Sequence, residues 1–538
     1  MCGLKVGSAL VASSGRSKLN RGRAKSLIVE RCSPTAASAL AGIMTAASFQ
    51  PLGMGWLAPI AFALLWLVLR DVSWDHALMA SLAYSLAFML VLLWWLSASI
   101  GPGAWFALGT AQAVVVSLGV LGVWTVRTLP AGPLWSALAW CGAEFMRSTW
   151  PLGGMPWGQL GFTAVDTWWA ALLPYVGVPG TSLFVAFAGF TLAEMVRSPG
   201  PRTFAMSSAA VVIPSILTLL PAPSTHAGSA DIALIQGGVP GDGSDLVAHH
   251  RQVTRNHVAR TLDLARDLRT KRETVDLVVW PENSTAVDPL EDAQARALIE
   301  RAVVAVDAPL LVGGIVNTDD PERAYNRGIL WLPDRTIAGH YTKTHLVPFG
   351  EYIPWRETIG TWFDRFSEIP RDMIPGKDEG PLELDRLRVA DAICFDIAYD
   401  DVLQAQIRRG ANLAVVQTSN AMFYGTSQPS QQFEITRVRA AEIGRSIVVA
   451  STNGTSGVID PQGRIVKQAP AGVSTRVRAT VSLQVGLTPA VRYQHVRDPV
   501  ILAGATLGVL WAFARRTAGL RRRRRSGGLA TRCSRRRS

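Results

Sequence analysis

Eight residues in the last third of the chain, VADAICFD at positions 389–396, combine the pattern of a buried strand with two reactive side chains. The apolar run ends at Cys394, Asp396 follows two positions later, and a helical pattern begins near Ala398. In α/β folds, side chains at the carboxyl end of a strand lie at the rim of the sheet, where ligands bind. The octet therefore predicts an α/β domain with Cys394 at its site, and a buried structural cysteine is the alternative.

Two upstream stretches favour thiol chemistry over that alternative. The strand-like runs VVWPE, residues 278–282, and GHYTK, residues 339–343, each deliver one ionisable side chain. A cysteine attacks as the thiolate, so it needs a base or a cation nearby. Glu282 can accept the thiol proton. Lys343 can stabilise the thiolate and the oxyanion that forms when Cys394 attacks a carbonyl.

Three further residues could support this chemistry. The backbone N–H of Phe395, directly after the nucleophile, is a candidate oxyanion donor. Glu351, within the run LVPFGEYIP at residues 346–354, could orient Lys343 or serve as a second carboxylate. Asp396 is the third, an acidic group two positions beyond the thiol. Glu and Lys are usually solvated surface residues, but a carboxylate straight after a Val-Val-Trp strand is not placed like a random surface charge.

The composition separates a membrane part from a polar insert. The chain has 538 residues, of which 49% are hydrophobic and only 17% are charged, whereas soluble domains average about 25% charged residues. Most of the deficit lies before residue 222 and in a short piece after residue 498. Much of the net charge of +13 lies in the two ends. Basic runs beside apolar segments are typical of cytoplasmic retention signals, so no nucleic-acid partner is expected.

Hydropathy predicts a multi-pass α-helical membrane bundle of about eight spans. The predicted spans cover residues 34–50, 54–70, 76–99, 104–127, 131–148, 174–196, 203–222 and 498–514. The first two are shorter than the roughly 20 residues that a straight crossing needs. Arg70, Arg127, Arg197 and Arg202 lie in alternate loops, which predicts that these loops and both termini are cytoplasmic. Arg147 is the exception to this bias.

The same pattern divides the chain into five parts. They are a basic cytoplasmic arm predicted to be disordered (1–33), the membrane bundle (34–222), an extracytoplasmic catalytic domain (225–490), a last span (498–514) and an arginine-rich cytoplasmic tail (515–538). The catalytic domain alternates strand and helix patterns, which indicates an α/β fold. Strands are predicted at 232–236, 277–280, 309–316, 328–332, 387–393, 413–417 and 446–451, and helices at 246–269, 290–306 and 430–444.

Aromatic residues in two irregular stretches are candidate lipid contacts. The outer loop 149–173 is apolar, is broken by Pro and Gly, and carries Trp150 and Trp157. These tryptophans suit either a membrane-interface belt or a lipid-facing vestibule beneath the polar domain. The stretch 343–375 lacks a clear helical period, and long loops of this kind are usually functional or disordered, so we expect part of it to close over the site. Its candidate lipid contacts are Trp355, Trp362 and Phe363.

No metal, cofactor or disulfide framework is predicted. The five cysteines are scattered and contain no CxxC pair. The eight histidines form no HExxH motif. The proposed thiol chemistry works without a cofactor.

The predicted site resembles that of a known family. The Glu282, Lys343 and Cys394 set is similar to the Glu-Lys-Cys triad of the nitrilase (carbon–nitrogen hydrolase) superfamily. With spans on both sides, the LVPFGEYIP run, a Met-Pro-Trp loop at 155–157 and STNG at 451–454, the chain from about residue 36 to 514 resembles the apolipoprotein N-acyltransferases. The resemblance implies a four-layer αββα sandwich on a membrane bundle in a bacterial plasma membrane.

The resemblance also implies an activity and its partners. The acyl donor would be a membrane phospholipid, and the acceptor the α-amine of the diacylglyceryl-cysteine of an apolipoprotein. Some relatives are fused to a polyprenol-phosphate mannose synthase, so a separate synthase is a candidate partner. Two alternatives stay open, namely a membrane-tethered amidase or nitrilase that uses water, and an inert scaffold with a nitrilase-like domain.

Two departures from the family bear on lid geometry and acyl preference. Relatives often have Tyr-Glu after the nucleophile, where this chain has Phe395 and Asp396. Relatives often carry a tryptophan in the loop that here spans residues 239–246 and has none. Both departures leave the three triad residues intact.

Overall fold

The computed structural model describes residues 33–221, 223–240, 246–285, 287–361, 366–367, 369–377 and 380–534. In helical residues 246–250 and 519–534 only the backbone is described. The predicted arm 1–33 therefore lies outside the described residues except for Ser33. So do the last residues of the predicted tail.

Helices form the first part of the chain and its end. They are α1 (Pro34–Ala47), α2 (Leu57–Leu69), α3 (Trp74–Leu92), α4 (Trp95–Ser99), α5 (Pro102–Val126), α6 (Gly132–Thr149), α7 (Leu173–Arg197), α8 (Pro201–Leu217) and, after the α/β domain, α14 (Pro489–Arg492) and α15 (Gln494–Ser534). Each of the eight predicted spans overlaps these helices, with 76–99 divided between α3 and α4, and the span 203–222 extends past the end of α8 to residue 222, which lies outside the described residues. The loop between α6 and α7 contains the short 3₁₀ turns Leu160–Thr163 and Trp168–Leu172.

The structure supports a membrane bundle but not the count of eight crossings. Four helical segments are long and apolar enough to cross a membrane: Trp74–Leu92, Pro102–Val126, Trp168–Arg197 and Gln494–Ala518. The helices α1, α2 and α8 are apolar but shorter than 18 residues. α6 has the length, but Glu144 and Arg147 lower its hydropathy. The short helices explain the difference, because hydropathy windows extend over the loops that flank them.

Large apolar side chains point away from the bundle. Phe106 on α5, Phe204 on α8 and Leu510 on α15 are 58%, 67% and 59% exposed. A helix in a water-soluble protein keeps polar residues on that face, whereas lipid tails accept apolar ones. The outer surface of the helices is therefore suited to a bilayer.

The α/β domain contains two sheets that face each other. The strands are β1 (Thr225–Gln236), β2 (Leu277–Val279), β3 (Leu310–Asn317), β4 (Arg323–Trp331), β5 (Ile337–Thr342), β6 (Asp372–Met373), β7 (Leu382–Leu384), β8 (Leu387–Ile393), β9 (Leu413–Thr418), β10 (Ile447–Ser451), β11 (Gly457–Ile459), β12 (Ile465–Gln468) and β13 (Thr475–Val485). The first sheet has the order β13-β1-β2-β3-β4-β5, with β6 paired to β4. The second has the order β12-β11-β10-β9-β8-β7.

Side chains alternate between two cores along each central strand, as the period of two requires. In β1, Ile232 and Leu234 point into the core between the sheets, and Ala233 and Ile235 point toward the outer helices. Those outer helices on the first sheet are α9 (Leu246–Lys271) and α10 (Ala293–Val306). The second sheet is covered by α12 (Asp401–Arg408) and α13 (Gln428–Ile443). This arrangement is the predicted αββα sandwich. A one-turn helix, α11 (Arg356–Ile359), lies outside these layers.

Helix α13 joins the sandwich to the bundle. Gln431 Oε1 accepts hydrogen bonds from Trp95 Nε1 at 3.1 Å and Trp157 Nε1 at 2.7 Å. Arg437 pairs with Asp166 in the loop between α6 and α7 at 2.7 Å. The core that covers the second sheet is continuous with the core of the membrane helices. The two parts therefore pack as one body.

The kink in α7 is part of this junction. Gly177 has φ 63° and Pro179 follows it within the helix, so the helical hydrogen-bond ladder is broken here. The freed N–H of Val178 donates to Glu442 Oε1 of α13 at 3.0 Å. A side chain of the sandwich thus satisfies a backbone donor of a membrane helix.

The opposite end of the bundle is rich in arginine. α2, α5 and α7 end at or directly before Arg70, Arg127 and Arg197. Arg516 of α15 reaches the same end, where it donates to the Thr125 carbonyl at 3.5 Å. The catalytic domain and the arginine cluster therefore lie at opposite ends of the membrane helices.

Candidate active site

Three strand ends deliver the predicted Glu282, Lys343 and Cys394 to one place. Glu282 lies three residues after β2, Lys343 directly follows β5, and Cys394 directly follows β8. β2 and β5 belong to the first sheet and β8 to the second, so the site lies where the edges of the two sheets meet. Cys394 interacts electrostatically with both other residues.

Lys343 is buried between two carboxylates. Its Nζ lies 2.9 Å from Glu351 Oε1 and 3.4 Å from Glu282 Oε1, and its side chain is 1% exposed. Burial alone would lower the pKa of Lys343, but Glu351 and Glu282 raise that pKa well above its ordinary value. The lysine is therefore a fixed ammonium group beside the thiol. Glu351, predicted to orient Lys343, is in contact with it.

Asn326 on β4 contributes to the site and is absent from the sequence-based set. Its Nδ2 donates to Glu282 Oε1 at 2.8 Å and to Glu351 Oε1 at 3.2 Å. Its backbone carbonyl accepts from the Lys343 N–H at 2.9 Å. The strand pattern predicted for β4 starts only at residue 328, which left Asn326 in a presumed loop. A buried amide in a strand is the signal that would have identified it.

Glu282 is held from its other side as well. Its Oε2 accepts the backbone N–H of Ser419 at 2.8 Å, directly after β9. Both oxygens of this carboxylate are therefore fixed, and the side chain is 4% exposed. These contacts hold the Glu282 carboxylate in place near Cys394.

Cys394 lies in a strained turn. Its φ is 53°, in the left-handed region that non-glycine residues rarely occupy, and it opens the 3₁₀ turn Cys394–Ala398. Burial, and then repulsion from Glu282, raises the pKa of Cys394 to about 12, although Lys343 and the hydroxyl of Thr418 oppose the shift. The resting thiol is thus protonated at neutral pH. Attack therefore requires proton transfer to a neighbouring base.

Asp396 fixes the turn from behind. Its Oδ1 accepts the His345 N–H at 2.7 Å, and its Oδ2 accepts the Tyr341 hydroxyl at 2.8 Å and the Ile393 N–H at 3.1 Å. The carboxylate is fully buried, and burial raises its pKa. It thereby ties the end of β8 to the segment that carries Lys343.

Phe395 joins the turn to the bundle. Its ring stacks on Trp157, with centroids 6.3 Å apart, and meets Tyr399 edge-on at 5.3 Å. The Tyr399 hydroxyl donates to the Gly154 carbonyl of the loop between α6 and α7 at 2.8 Å. The side chain beside Cys394 therefore contacts the membrane part directly.

The predicted lipid contacts fall into three groups. Trp150 and Trp355 are 63% and 68% exposed, so both indoles are available to a lipid. Trp157 is 3% exposed and contacts Gln431 and Phe395, so in this structure its indole faces protein and not lipid. Trp362 and Phe363 lie outside the described residues, so the predicted lid is only partly described.

No cluster suited to a metal accompanies the site. Within the described part of the chain, no group of three or more His, Cys, Asp or Glu residues could hold a metal ion. The groups beside Cys394 are instead one ammonium, two carboxylates and one amide. Such a set can move a proton and stabilise an oxyanion.

Comparisons with known proteins match both parts of the chain. Residues 41–191 match the apolipoprotein N-acyltransferase N-terminal domain, and residues 231–490 match the carbon-nitrogen hydrolase domain. An apolipoprotein N-acyltransferase of Mycolicibacterium smegmatis is 32% identical over 515 residues, covering 89% of this chain and 85% of that protein. One of Pseudomonas aeruginosa is 32% identical over 524 residues, covering 90% of this chain and 97% of that protein.

Solved structures align with about half of the chain. A carbon-nitrogen hydrolase from Helicobacter pylori aligns with 51% of this chain and 94% of its own, at 16% sequence identity and a TM-score of 0.36.

Proposed function

The chain belongs to the apolipoprotein N-acyltransferase family, and from this premise we propose how its own residues transfer the acyl group. The protein N-acylates lipoproteins, and it is a bacterial membrane protein with a nitrilase-like catalytic domain. We propose that Cys394 carries the acyl chain as a thioester between a membrane phospholipid and the lipoprotein amine. The observation that carries this proposal is the Lys343 ammonium, held between Glu282 and Glu351 beside the thiol.

The first half-reaction forms the thioester. Glu282 takes the thiol proton as the Cys394 sulfur attacks the ester carbonyl of the phospholipid. Lys343 and the backbone N–H of Phe395 stabilise the oxyanion. The C–O bond then breaks, and the proton passes from Glu282 to the departing oxygen, so a lysophospholipid leaves. The pKa of about 12 supports this order, because a thiol that is protonated at rest needs Glu282 at the moment of attack.

The second half-reaction forms the amide. The α-amine of the diacylglyceryl-cysteine attacks the thioester carbonyl, a C–N bond forms, and the C–S bond breaks. Glu282 accepts the amine proton and returns a proton to the sulfur, which restores the thiol. The two substrates therefore use one site in turn.

Both substrates are lipids, which favours a site against the bilayer. Burying one CH₂ group is worth roughly 0.8 kcal/mol, so a site far from the membrane would have to extract long chains at high cost. The contacts of Phe395 with Trp157 and of Tyr399 with Gly154 hold the nucleophile turn against the membrane part. This proximity favours lipid substrates over the soluble ones of a tethered amidase.

The charge of the two ends supports an outside location of the catalytic domain. Arg70, Arg127, Arg197 and Arg516 lie at the end opposite Cys394, and arginine accumulates on the cytoplasmic side. We therefore propose eight crossings, cytoplasmic termini and an extracytoplasmic site. A separate polyprenol-phosphate mannose synthase as partner stays a prediction.

Intact-protein mass spectrometry after incubation with phospholipid alone tests the proposal. Wild-type protein should gain one acyl mass that hydroxylamine removes, and Cys394→Ala should gain none. Wild-type turnover without such an adduct would contradict the thioester. Release of free fatty acid without lipoprotein acceptor, at the rate of transfer, would favour the hydrolase alternative.

A further inference from the structure

A cavity of about 180 Å³ opens at the end of the bundle opposite the catalytic domain. The ends of α2 and α7, the connection between α5 and α6, and the start of α8 form its walls. Its lining includes Trp66, Arg70, Arg127, Pro133, Glu194 and Met206. This cavity has no part in the chemistry at Cys394.

Two arginines of the wall hold each other in place. Arg70 Nη1 donates to the Arg127 carbonyl at 2.6 Å, and Arg127 Nε donates to the Arg70 carbonyl at 3.0 Å. These reciprocal bonds fix both guanidinium groups at the cavity. A fixed pair of guanidinium groups differs from arginines that extend freely into solvent, because little side-chain entropy remains to be lost on binding.

The lining of the cavity includes two arginines, Arg70 and Arg127, and one carboxylate, Glu194, and Arg516 lies at the same end of the bundle. Within the described part of the chain, Arg70 pairs with Glu194 at 3.8 Å, and neither Arg127 nor Arg516 makes an ion pair. The guanidinium groups of Arg127 and Arg516 both lie over the Trp124 ring, at 4.3 and 4.6 Å. Arg516 and Arg70 both repel Arg127, and Asp71 offsets part of this repulsion. A bound anion would relieve this repulsion.

We propose that this cavity binds a phosphate ester group, supplied by the headgroup of an anionic phospholipid in the adjoining leaflet. The planar donor fork of arginine matches phosphate oxygens, and basic pockets between membrane helices on the cytoplasmic side bind such headgroups. The cavity is below the roughly 300–1,000 Å³ of drug-sized pockets, so it suits a headgroup. Exposed apolar residues on α8, including Phe204 and Val211, offer a surface for the acyl chains.

Native mass spectrometry and thermal unfolding of the full-length protein test this proposal. In the Cys394→Ala background, which prevents acylation, the protein should retain one more copy of phosphatidylglycerol than of phosphatidylcholine, because the site at Cys394 can hold either lipid, and phosphatidylglycerol should raise the unfolding temperature more. Arg127→Gln should lower the retained fraction about tenfold or more. Arg197→Gln is the matched control, because Arg197 lies at the same end but pairs with Asp71, and this variant should retain the lipid.

A second variant keeps the test decisive if Arg127→Gln misfolds. Met206→Trp fills the cavity without removing a charge, so it should also lose the lipid. Equal loss in Arg197→Gln and Arg127→Gln, or full retention in Met206→Trp, would overturn the proposal in favour of a general surface attraction. Stabilisation by millimolar inorganic phosphate that matches the effect of the lipid would overturn the lipid headgroup as the source.

Discussion

One amide, that of Asn326, connects the two carboxylates that flank Lys343. The Nδ2 group of Asn326 donates to both Glu282 and Glu351 and so holds these two acids in place beside Lys343. We infer that Asn326 is a positioning residue, because it acts on the thiol only through these acids.

Replacement of this amide by a carboxylate should slow acylation. Asn326→Asp keeps the shape but removes both donor contacts, and a hydrogen bond to a charged group is worth about 1.5–3 kcal/mol. We expect single-turnover formation of the acyl-enzyme to fall about 10- to 100-fold, together with a lower unfolding temperature, because the variant buries a third carboxylate beside two others. Asn317→Asp is the control, because Asn317 ends β3 and bonds Glu291 away from the site. An equal effect of both variants would contradict the role of Asn326.

The thiol itself should respond to pH in one direction. Because burial raises the pKa of Cys394 to about 12, the thiolate fraction below that pH rises about tenfold per pH unit. Alkylation of Cys394 by a small neutral reagent should therefore increase from pH 6 to pH 9 without a plateau. Peptide-level mass spectrometry gives the rate. A plateau near pH 7 would show a stabilised resting thiolate and contradict the raised pKa.

Lys343 should determine how fast Cys394 is alkylated at a given pH. Its charge lowers the pKa of Cys394, so Lys343→Met should raise this pKa further and slow alkylation about tenfold or more at each pH. Lys467→Met is the control. Lys467 lies on the exposed strand β12, and its Nζ donates to the Arg478 carbonyl. Faster alkylation of Lys343→Met would mean that the lysine hinders the thiolate.

At the scale of residues, the sequence predicts the positions of side chains that directly follow a buried strand, but of few others. Glu282, Lys343 and Cys394 each follow an apolar run, and the end of a buried strand fixes where its next side chain lies. Asn326 and Ser419 are different, because their contacts with Glu282 join segments 44 and 137 residues apart. Trp157 shows the same limit, since its burial depends on Gln431 of a distant helix.

At the scale of elements, α13 connects the turn Cys394–Ala398 to the membrane helices through Arg439. This guanidinium donates to the carbonyls of Ile397 at 3.1 Å and Ala398 at 2.6 Å, within the turn that Cys394 opens. It also pairs with Asp400 and Glu442, each at 2.6 Å. Glu442 in turn accepts the N–H that the kink of α7 frees. The position of the turn is therefore coupled to a membrane helix.

Replacement of Arg439 should slow acylation of Cys394 more than it weakens phospholipid binding. Arg439→Lys keeps the charge but cannot reach both carbonyls with one planar fork, so we expect acyl-enzyme formation to fall about tenfold or more. Retention of a phospholipid should stay close to the wild-type level. Arg437→Lys on the same helix is the control, because Arg437 contacts Asp166, Glu434 and the Gly463 carbonyl and not the carbonyls of Ile397 and Ala398. Equal losses in both variants would indicate a general effect on α13.

Complete loss of the Arg439 charge should destabilise the protein. Arg439→Met would leave Asp400 and Glu442 with Arg497 as their remaining ion-pair partner, at 3.4 and 3.9 Å, and removal of one partner of a buried ion pair costs about 3–5 kcal/mol. Thermal unfolding measures the difference. An unchanged unfolding temperature would show that Arg497, which also lies 3.4 Å from Asp400, compensates.

Sequence periodicity predicted most elements and failed where the segments are short. The strands from residue 387 to 393 and from 413 to 418 were predicted within one residue, because buried runs of this length have few alternatives. β6, β7 and α11 were missed, since two to four residues carry no reliable period, whereas the helical pattern expected near Ala398 corresponds to α12, which begins at Asp401. The predicted spans were correct as helices, but α1, α2 and α8 are too short to support a count of eight crossings from length and hydropathy.

At the scale of the whole molecule, the arginine cluster and the proposed catalytic site lie at opposite ends of the same helices. The sandwich caps one end through α13, and the arginines of α2, α5, α7 and α15 mark the other. A chain inserted with these arginines in the cytoplasm must hold Cys394 on the far side. One measurement of sidedness therefore tests the location of the site and the location of the anion cavity together.

Single-cysteine labelling makes this measurement. In a background in which the native cysteines are replaced by serine, Asp319→Cys introduces a thiol on the exposed surface of the sandwich, and Ser198→Cys introduces one at the arginine-rich end. Because arginine favours the cytoplasmic side, a membrane-impermeant maleimide should label Asp319→Cys in intact spheroplasts and Ser198→Cys only after permeabilisation. The reverse pattern would place the catalytic domain in the cytoplasm, where a lipoprotein amine exposed outside the membrane could not reach the thioester. Labelling of both positions in intact spheroplasts would indicate leaky membranes, which a cytosolic marker protein with an accessible cysteine would reveal in the same sample.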